Sequence, residues 1–293
     1  MMSRQLAIFF VLLSALGFGS MAMFAKLAYS AGVTPTLLLA LRFLLAALLL
    51  APVVWVKRLR LPRGSALAGF IVMGALYTAQ SQSYFTALLH ASSGLVGLLL
   101  YVYPILVTIL AVLLGWERLD RRTFLLLALA ILGMAITLGG DLQGQPFGIA
   151  LGLLAAAIYA VYILIGGRFS RNTDPLAATL VVLAAAATFN GLFAVAEGTS
   201  LPASASAWMA IVAIALFSTV IAIAAFLIGI KHIGAAQASI ISTLEPVITL
   251  CLGVALLGES VSATQLLGGM LVLAAVVLIA RRPEQAAIAE TVQ

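Results

Sequence analysis

The chain has 293 residues, of which 64% are hydrophobic and only 8% are charged, and its formal net charge is +6. Soluble domains carry about 25% charged residues, so this composition excludes a water-soluble fold and predicts a protein embedded in a lipid bilayer. The positive charge does not indicate a nucleic-acid partner, because basic residues of a membrane protein mark the cytoplasmic ends of its helices.

Apolar stretches separated by proline, glycine or charged residues predict ten transmembrane helices, each near the roughly 20 residues that cross a bilayer. The connections are short and carry turn residues, so we expect consecutive helices to be antiparallel. The first apolar run is longer than that of a signal peptide, and we expect it to stay as a helix. The predicted helices are residues 6–28, 36–56, 65–89, 93–115, 123–139, 147–167, 176–196, 207–230, 235–257 and 263–280.

The positions of Lys and Arg predict the orientation, since positive charge stays on the cytoplasmic side. With the N-terminus inside, thirteen of the fifteen basic residues fall in cytoplasmic segments and none falls in an outward connection. The other two, Lys26 and Arg42, lie within helices, and we expect their side chains to reach the outer interface. The sequence thus predicts a multi-pass protein of the bacterial inner membrane with both termini cytoplasmic, residues 283–293 being a disordered tail.

The chain resembles itself around the fourth and ninth predicted helices at an offset of 142 residues. This offset equals five helices, an odd number, so the second half enters the membrane in the opposite sense. We therefore predict two inverted five-helix repeats, residues 1–140 and 141–282. The alternative is chance similarity between two leucine-rich helices. Matched polar and proline residues argue against it. These matches are His90 with His232, Pro104 with Pro246, and Glu117 with Glu259.

Pro104 and Pro246 lie inside the fourth and ninth predicted helices. Proline removes a backbone hydrogen bond and clashes with the carbonyl group four residues earlier, so each helix should bend there. One such bend could serve packing alone. Two bends at repeat-related positions favour a moving hinge, and in a bilayer the freed carbonyl group needs a protein or water partner.

Glu245 lies in the middle of the ninth predicted helix, next to Pro246. A charge near the bilayer centre costs about 3 kcal/mol, so such a residue indicates function. Its carboxylate could hold a substrate amine or carry a proton between the two sides. The alternative is a structural ion pair with Arg42 or Lys26.

Polar and aromatic residues inside the predicted helices indicate a central cavity for amphipathic molecules. A buried tyrosine offers an apolar wall and a hydroxyl group that needs a partner. For a single tyrosine, a bond to a neighbouring helix is the simpler explanation, and Asn190 and Ser242 could equally well bond helices together. The candidate binding residues are Tyr77, Gln80, Ser81, Tyr84, Tyr101, Tyr103, Tyr159, Asn190, Ser242 and Glu245, with Tyr162 as a further aromatic neighbour.

The sequence predicts no metal site, no cofactor and no enzymatic activity. Cys251 is the only cysteine, and the two histidines are not grouped with carboxylates, so no set of metal ligands can be identified. Catalysis would need several acid, base or metal groups at one depth, whereas Glu245 is the only acid predicted near mid-membrane. A channel is disfavoured because no filter-like loop or ring of charge is present.

Two sequence patterns carry a resemblance to a known family. Leu244–Val247, followed by Gly258 and Glu259, resembles the EamA-type repeat of the drug/metabolite transporter superfamily. Within that superfamily, Tyr101–Pro104 and Ile158–Tyr162 resemble the YddG-type exporters of aromatic and other amino acids. The resemblance covers nearly the whole chain, although those exporters tend to carry Trp where this chain has Tyr103 and Tyr159.

This resemblance implies a secondary transporter that exports small metabolites, above all aromatic and neutral amino acids, by alternating access. It implies a cavity bordered by Tyr101, Tyr103 and Tyr159, with Pro104 and Pro246 as hinges that open or close it. The sequence leaves two modes open, proton coupling through Glu245 of the ninth helix and simple facilitated transport. The alternative function is efflux of drugs or lipophilic cations, but small exporters of that kind use a carboxylate in their first helix, which this chain lacks.

Overall fold

The computed structural model describes residues 2–87, 90–91, 93–116, 121–138, 144–245, 247–248, 251–252, 255 and 262–280. Within these ranges the chain is helical, and its only β contact is a single bridge between Ala91 and Gly144. The helices are α1 (Arg4–Gly19), α2 (Met21–Ser30), α3 (Pro35–Val56), α4 (Gly64–Ala87), α5 (Ser93–Leu100), α6 (Tyr103–Leu113), α7 (Arg121–Leu138), α8 (Pro146–Phe169), α9 (Pro175–Ala196), α10 (Ala205–Ala215), α11 (Ala222–Ile233), α12 (Ala235–Ser242) and α13 (Ala263–Ala280), with a 3-10 turn at Ser170–Asn172 and a π-helical segment at Leu216–Ile221.

Side-chain caps and prolines fix where several helices begin. The Thr34 hydroxyl accepts a hydrogen bond from the Leu37 N–H at 3.3 Å, and the Asp174 carboxylate accepts one from the Leu176 N–H at 2.9 Å. Proline occupies the first turn of α3, α8 and α9, where its missing N–H would have had no partner in any case. The helix ends are thus encoded locally, at the points where the chain enters the membrane.

Among the described residues, five helical stretches are long and apolar enough to cross a bilayer, so the chain is a multi-pass membrane protein. The predicted count of ten is not confirmed by this criterion. Helix α4 has 24 residues, but its second half is polar, and the fourth predicted helix is interrupted. The ninth lies partly outside the described residues. The five stretches are Arg4–Ser30, Pro35–Val56, Pro146–Phe169, Pro175–Ala196 and Ala205–Ile233.

Two of the predicted helices are interrupted at repeat-related positions. Residues 101–102 form a turn between α5 and α6, and residues 243–244 form a turn after α12, 142 positions later. Pro104 therefore lies in the first turn of α6 and not inside a continuous helix, which corrects the sequence prediction. Its ring is incompatible with a helix that runs through Leu100, four residues earlier, and α5 ends there. Pro246 lies outside the described residues.

The contacts between helices are arranged symmetrically: a contact made by a helix of the first half has a counterpart made by the equivalent helix of the second half. Helix α4 packs against α8 as α11 packs against α1, and α5 packs against α8 as α12 packs against α1. Helices α3 and α9, α7 and α13, and α6 and α12 pack against each other. These contacts bring the two interrupted helices together. The Glu117–Glu259 pair and the predicted tail lie outside the described residues.

Large apolar side chains face outward, whereas several polar side chains are buried. Trp55 is 82% exposed and Val195 is 81% exposed, as suits a surface that contacts lipid. Arg42 is only 2% exposed, and Asn190 and Thr219 are fully buried. Buried polar groups must find hydrogen-bond partners inside the protein, so this interior is where specific contacts are to be sought.

Helix α1 lies very close to the π-helical segment, and this contact gives a first prediction. A Cβ atom on Gly17 would lie 2.7 Å from the Phe217 carbonyl oxygen and 2.9 Å from the Ala222 Cβ. Neither atom can move without moving the backbone, so Gly17→Ala should destabilise the protein by about 1–3 kcal/mol through overpacking. The measurement is the thermal unfolding midpoint of the purified protein in detergent.

Gly191→Ala is the matched control. A Cβ on Gly191 would meet no atom within 4 Å, so this variant should unfold at an equal or slightly higher temperature, since alanine is the better helix former. Equal midpoints for Gly17→Ala and the unmodified protein would contradict the close contact.

A candidate binding site among buried tyrosines

Four tyrosine rings from three helices meet in the protein interior. Tyr77 of α4 lies 5.3 Å from Tyr162 and 6.4 Å from Tyr159, both on α8, measured between ring centroids. Tyr103, at the start of α6, lies 4.8 Å from Tyr159 in an edge-to-face contact. None of the four is more than 9% exposed. Tyr77 and Tyr159 lie near the middle of 24-residue helices, so the cluster is far from the ends of both helices.

The turns in the two interrupted helices place polar groups beside this tyrosine cluster. The Tyr101 ring lies 6.2 Å from the Tyr103 ring, and the Tyr101 hydroxyl is a hydrogen-bond partner of the Glu245 carboxyl group. Ser242 ends α12 and neighbours Tyr103. Helix α1 closes this region, since a Cβ on Gly19 would lie 2.9 Å from the Glu245 carbonyl oxygen. The structure thus brings Tyr77, Tyr101, Tyr103, Tyr159, Ser242 and Glu245 into one region.

Two hydroxyl groups in this region are buried without a hydrogen bond of ordinary geometry to any described residue. They belong to Tyr103, which is 1% exposed, and Ser242, also 1% exposed. A buried polar group left in this way costs about 1–3 kcal/mol. The two hydroxyl groups neighbour each other without a bond of ordinary geometry, so a polar ligand group can bind here at the expense of only a weak contact between them. Within the described ranges, no three His, Cys, Asp or Glu side chains are grouped as metal ligands.

The other candidate residues of α4 lie between Tyr77 and the C-terminal end of that helix. Gln80 is 7% exposed, and Ser81 is 5% exposed. The Ser81 hydroxyl donates to the Tyr77 and Thr78 carbonyl groups of its own helix at 2.8 and 3.0 Å. Tyr84 is half-buried, with its ring edge-on to Phe85. These side chains follow the tyrosine cluster toward the end of α4.

Asn190 bonds α9 to α4. Its amide nitrogen donates to the Thr78 hydroxyl at 3.0 Å and to the Ala186 carbonyl at 2.9 Å. Its amide oxygen accepts from the Gln82 side chain at 3.1 Å. Of the two roles that the sequence left open for this residue, the structure shows the bond between helices.

The sequence prediction for the Arg42 side chain was wrong, since Arg42 is only 2% exposed. Its side chain does not reach the outer interface, because it points inward to polar groups of the π-helical segment. The Arg42 Nε donates to the Thr219 hydroxyl at 2.7 Å, and Nη2 donates to the Tyr77 hydroxyl at 3.1 Å and the Ser218 carbonyl at 3.4 Å. Its guanidinium group also lies 4.9 Å from the centroid of the Phe43 ring. The Lys26 side chain lies outside the described part of the chain.

A sequence signal for this arrangement did exist. Ser218 and Thr219 form an adjacent polar pair in the middle of the eighth predicted helix. Ser218 also contacts the Ser20 hydroxyl at 3.2 Å, where α1 gives way to α2. Polar pairs inside an apolar helix indicate a partner at the same depth, and Arg42 is that partner.

One family model matches both halves of this chain. It is described as the EamA-like transporter family, and it matches residues 5–139 and again residues 146–281. The chain belongs to the EamA-like transporter family. Transport is therefore the activity to be explained, and the EamA-type resemblance found in the sequence is confirmed. The narrower likeness to YddG-type exporters stays a prediction.

Relatives of this EamA-like transporter occur in bacteria and archaea. The uncharacterized inner membrane transporter YedA of Escherichia coli K12 is 27% identical over 250 residues, 84% of this chain and 81% of YedA. The uncharacterized transporter YcbK of Bacillus subtilis is 26% identical over 279 residues, 88% of each chain. A crystal structure of a protein with 22% identity superposes with a TM-score of 0.83, covering 94% of this chain and 99% of the other. That likeness shows the shared fold.

Proposed function

We propose that this EamA-like transporter exports small amphipathic metabolites, above all neutral and aromatic amino acids, from the cytoplasm by alternating access. The tyrosine cluster supports this most directly, because apolar rings surround hydroxyl and carboxyl groups at mid-membrane depth. An amino acid needs both kinds of surface, a wall for its side chain and polar groups for its backbone charges. A purely lipophilic substrate would leave the buried hydroxyl groups without partners.

The binding residues are proposed from this placement. Tyr77, Tyr103 and Tyr159 form the wall, while Tyr101, Ser242 and Glu245 supply polar contacts. The substrate path along α4 is lined by Gln80, Ser81 and Tyr84. Beside them, Asn190 holds α9 against α4. Glu245 is also the proposed proton carrier if transport is coupled.

Alternating access is proposed from the packing and the interruptions. The symmetric helix contacts of the two halves support ten helices in two inverted repeats, residues 1–140 and 141–282. The two repeat-related turns supply flexible points beside the site, with Pro104 and Pro246 as the hinge residues. Two similar halves can exchange conformations, which opens the site to each side in turn. Positive charge on the connections supports an inner-membrane orientation with cytoplasmic termini.

The test is counterflow of labelled L-phenylalanine and L-leucine into liposomes that contain the purified protein. Uptake should saturate and should rise several-fold when the liposomes are loaded with the same unlabelled amino acid. Protein-free liposomes are the control. A channel would show neither saturation nor counterflow, and counterflow of lipophilic cations alone would favour the efflux alternative. Failure of all amino acids would refute the proposal.

A further inference from the structure

Arg42 carries a buried positive charge, and its hydrogen bonds to described residues all go to neutral groups. Its three hydrogen bonds go to two hydroxyl groups and one carbonyl group. In the described part of the chain, no carboxylate lies within ion-pair distance of its guanidinium group. Burying an unpaired ion in a low-dielectric interior is costly, so buried charges are normally paired. This residue therefore calls for an anionic partner.

The guanidinium group also has N–H donors that the described residues do not use. It carries five N–H groups, and the three bonds to Thr219, Tyr77 and Ser218 use those on Nε and Nη2. Nη1 makes no hydrogen bond to a described residue, and the 3.4 Å bond to Ser218 is long. A carboxylate can accept from Nη1 and replace Ser218 on Nη2, which gives the bidentate geometry that arginine favours.

Arg42 borders the candidate site through Tyr77. The Tyr77 hydroxyl accepts from Arg42, while the Tyr77 ring contacts the rings of Tyr159 and Tyr162. Tyr77 also lies within electrostatic range of both Arg42 and Glu245. A cationic group and a carboxyl group thus flank the same aromatic wall.

We infer that Arg42 binds the carboxylate of the transported molecule, so that the site selects amphipathic carboxylic acids, such as amino acids, and rejects lipophilic cations. This inference rests on the proposed function and narrows its substrate class. A cation without an acidic group could pair with Glu245, but it would be repelled by Arg42 and would leave Arg42 without an anionic partner. If Arg42 only joined α3 to the π-helical segment, loss of the ligand's carboxylate would not change how strongly the ligand binds.

The experiment compares L-phenylalanine with L-phenylalaninamide, which keeps the ring and the amine but replaces the carboxylate by a neutral amide. Each is added in increasing amounts to compete with counterflow of labelled L-phenylalanine in liposomes. Hydrogen bonds to charged groups are worth enough that the amide should need at least about a tenfold higher concentration for half-inhibition. Equal inhibition would overturn this inference and leave amino-acid transport standing. Absence of any L-phenylalanine counterflow would overturn both.

Two variants separate ligand binding from a structural role. Arg42→Gln should bring the ratio of the two half-inhibition concentrations close to one, whereas Arg42→Lys keeps the charge and should keep part of the preference. A structural role would lower the transport rate of Arg42→Gln with the ratio unchanged, and that result would refute the inference. If Arg42→Gln does not yield folded protein, the comparison of the two ligands on the unmodified protein decides the question.

Discussion

Glu245→Gln should abolish transport driven by a pH gradient and leave amino-acid exchange in place. Glutamine has the shape of glutamate and can still bond to the Tyr101 hydroxyl, but it cannot gain or lose a proton. A charged carboxylate at mid-membrane costs about 3 kcal/mol. A carboxyl group that faces each side of the membrane in turn is therefore expected to bind and release one proton in each transport cycle. Without that proton, the cycle loses its link to the gradient.

The measurement uses liposomes with an imposed pH gradient and, in parallel, liposomes at equal pH. Accumulation of labelled L-phenylalanine against its gradient should fall to the level of protein-free liposomes in Glu245→Gln. Exchange at equal pH should stay within several-fold of the unmodified protein.

Glu197→Gln is the matched control, because Glu197 is an exposed carboxylate at the end of α9. This variant should behave as the unmodified protein does. If Glu245→Gln kept its pH dependence, proton coupling through this residue would be wrong and facilitated transport would be favoured. If exchange were lost as well, the charge of Glu245 would be required for substrate binding itself and not only for proton coupling.

The membrane location and the helical fold followed from the sequence for a simple physical reason. Lipid requires long apolar stretches with all backbone groups bonded internally, and such stretches are visible in composition. Pro35–Val56 and Pro175–Ala196 were predicted to within a residue of their observed ends, because capping residues and proline mark where they begin. Local signals of this kind need no knowledge of the rest of the chain.

The sequence predicted a break near Pro104 correctly but placed it at the wrong residue. The steric clash of Pro104 was anticipated, but the helix ends at Leu100 and restarts at Tyr103, so the proline begins α6. Proline forbids one hydrogen bond and one contact, and several nearby turns satisfy that rule equally well. The choice among them depends on packing of α6 against α8 and α12.

Arg42 shows where sequence reasoning failed for the site. Arg42 is in the second turn of α3, close enough to the outer end for a long side chain to reach water. Its actual partner, Thr219, is 177 positions away and lies in a π-helical segment. Nothing near Arg42 in the sequence signals that partner. Asn190 is a similar case, since its role is decided by Thr78 and Gln82 on a different helix.

Tyr103→Phe should make the protein more stable and the transport weaker. The Tyr103 hydroxyl is buried without a hydrogen bond of ordinary geometry, and removing it should recover part of the about 1–3 kcal/mol that such a group costs. Phenylalanine keeps the ring and its contact with Tyr159, so packing is unchanged. If the hydroxyl binds substrate, its loss removes a hydrogen bond worth about 0.5–1.5 kcal/mol, which raises KM roughly 2- to 10-fold.

Ser14→Ala is the control that separates these two effects. The Ser14 hydroxyl on α1 is also buried and unpaired among the described residues, but it is not part of the tyrosine cluster. Ser14→Ala should raise the thermal unfolding midpoint in detergent and leave the KM for L-phenylalanine counterflow unaltered. Ser242→Ala, by contrast, should follow Tyr103→Phe in both measurements. A more stable Tyr103→Phe protein with an unaltered KM would show that this hydroxyl takes no part in binding and that Tyr103 contributes only its ring to the wall.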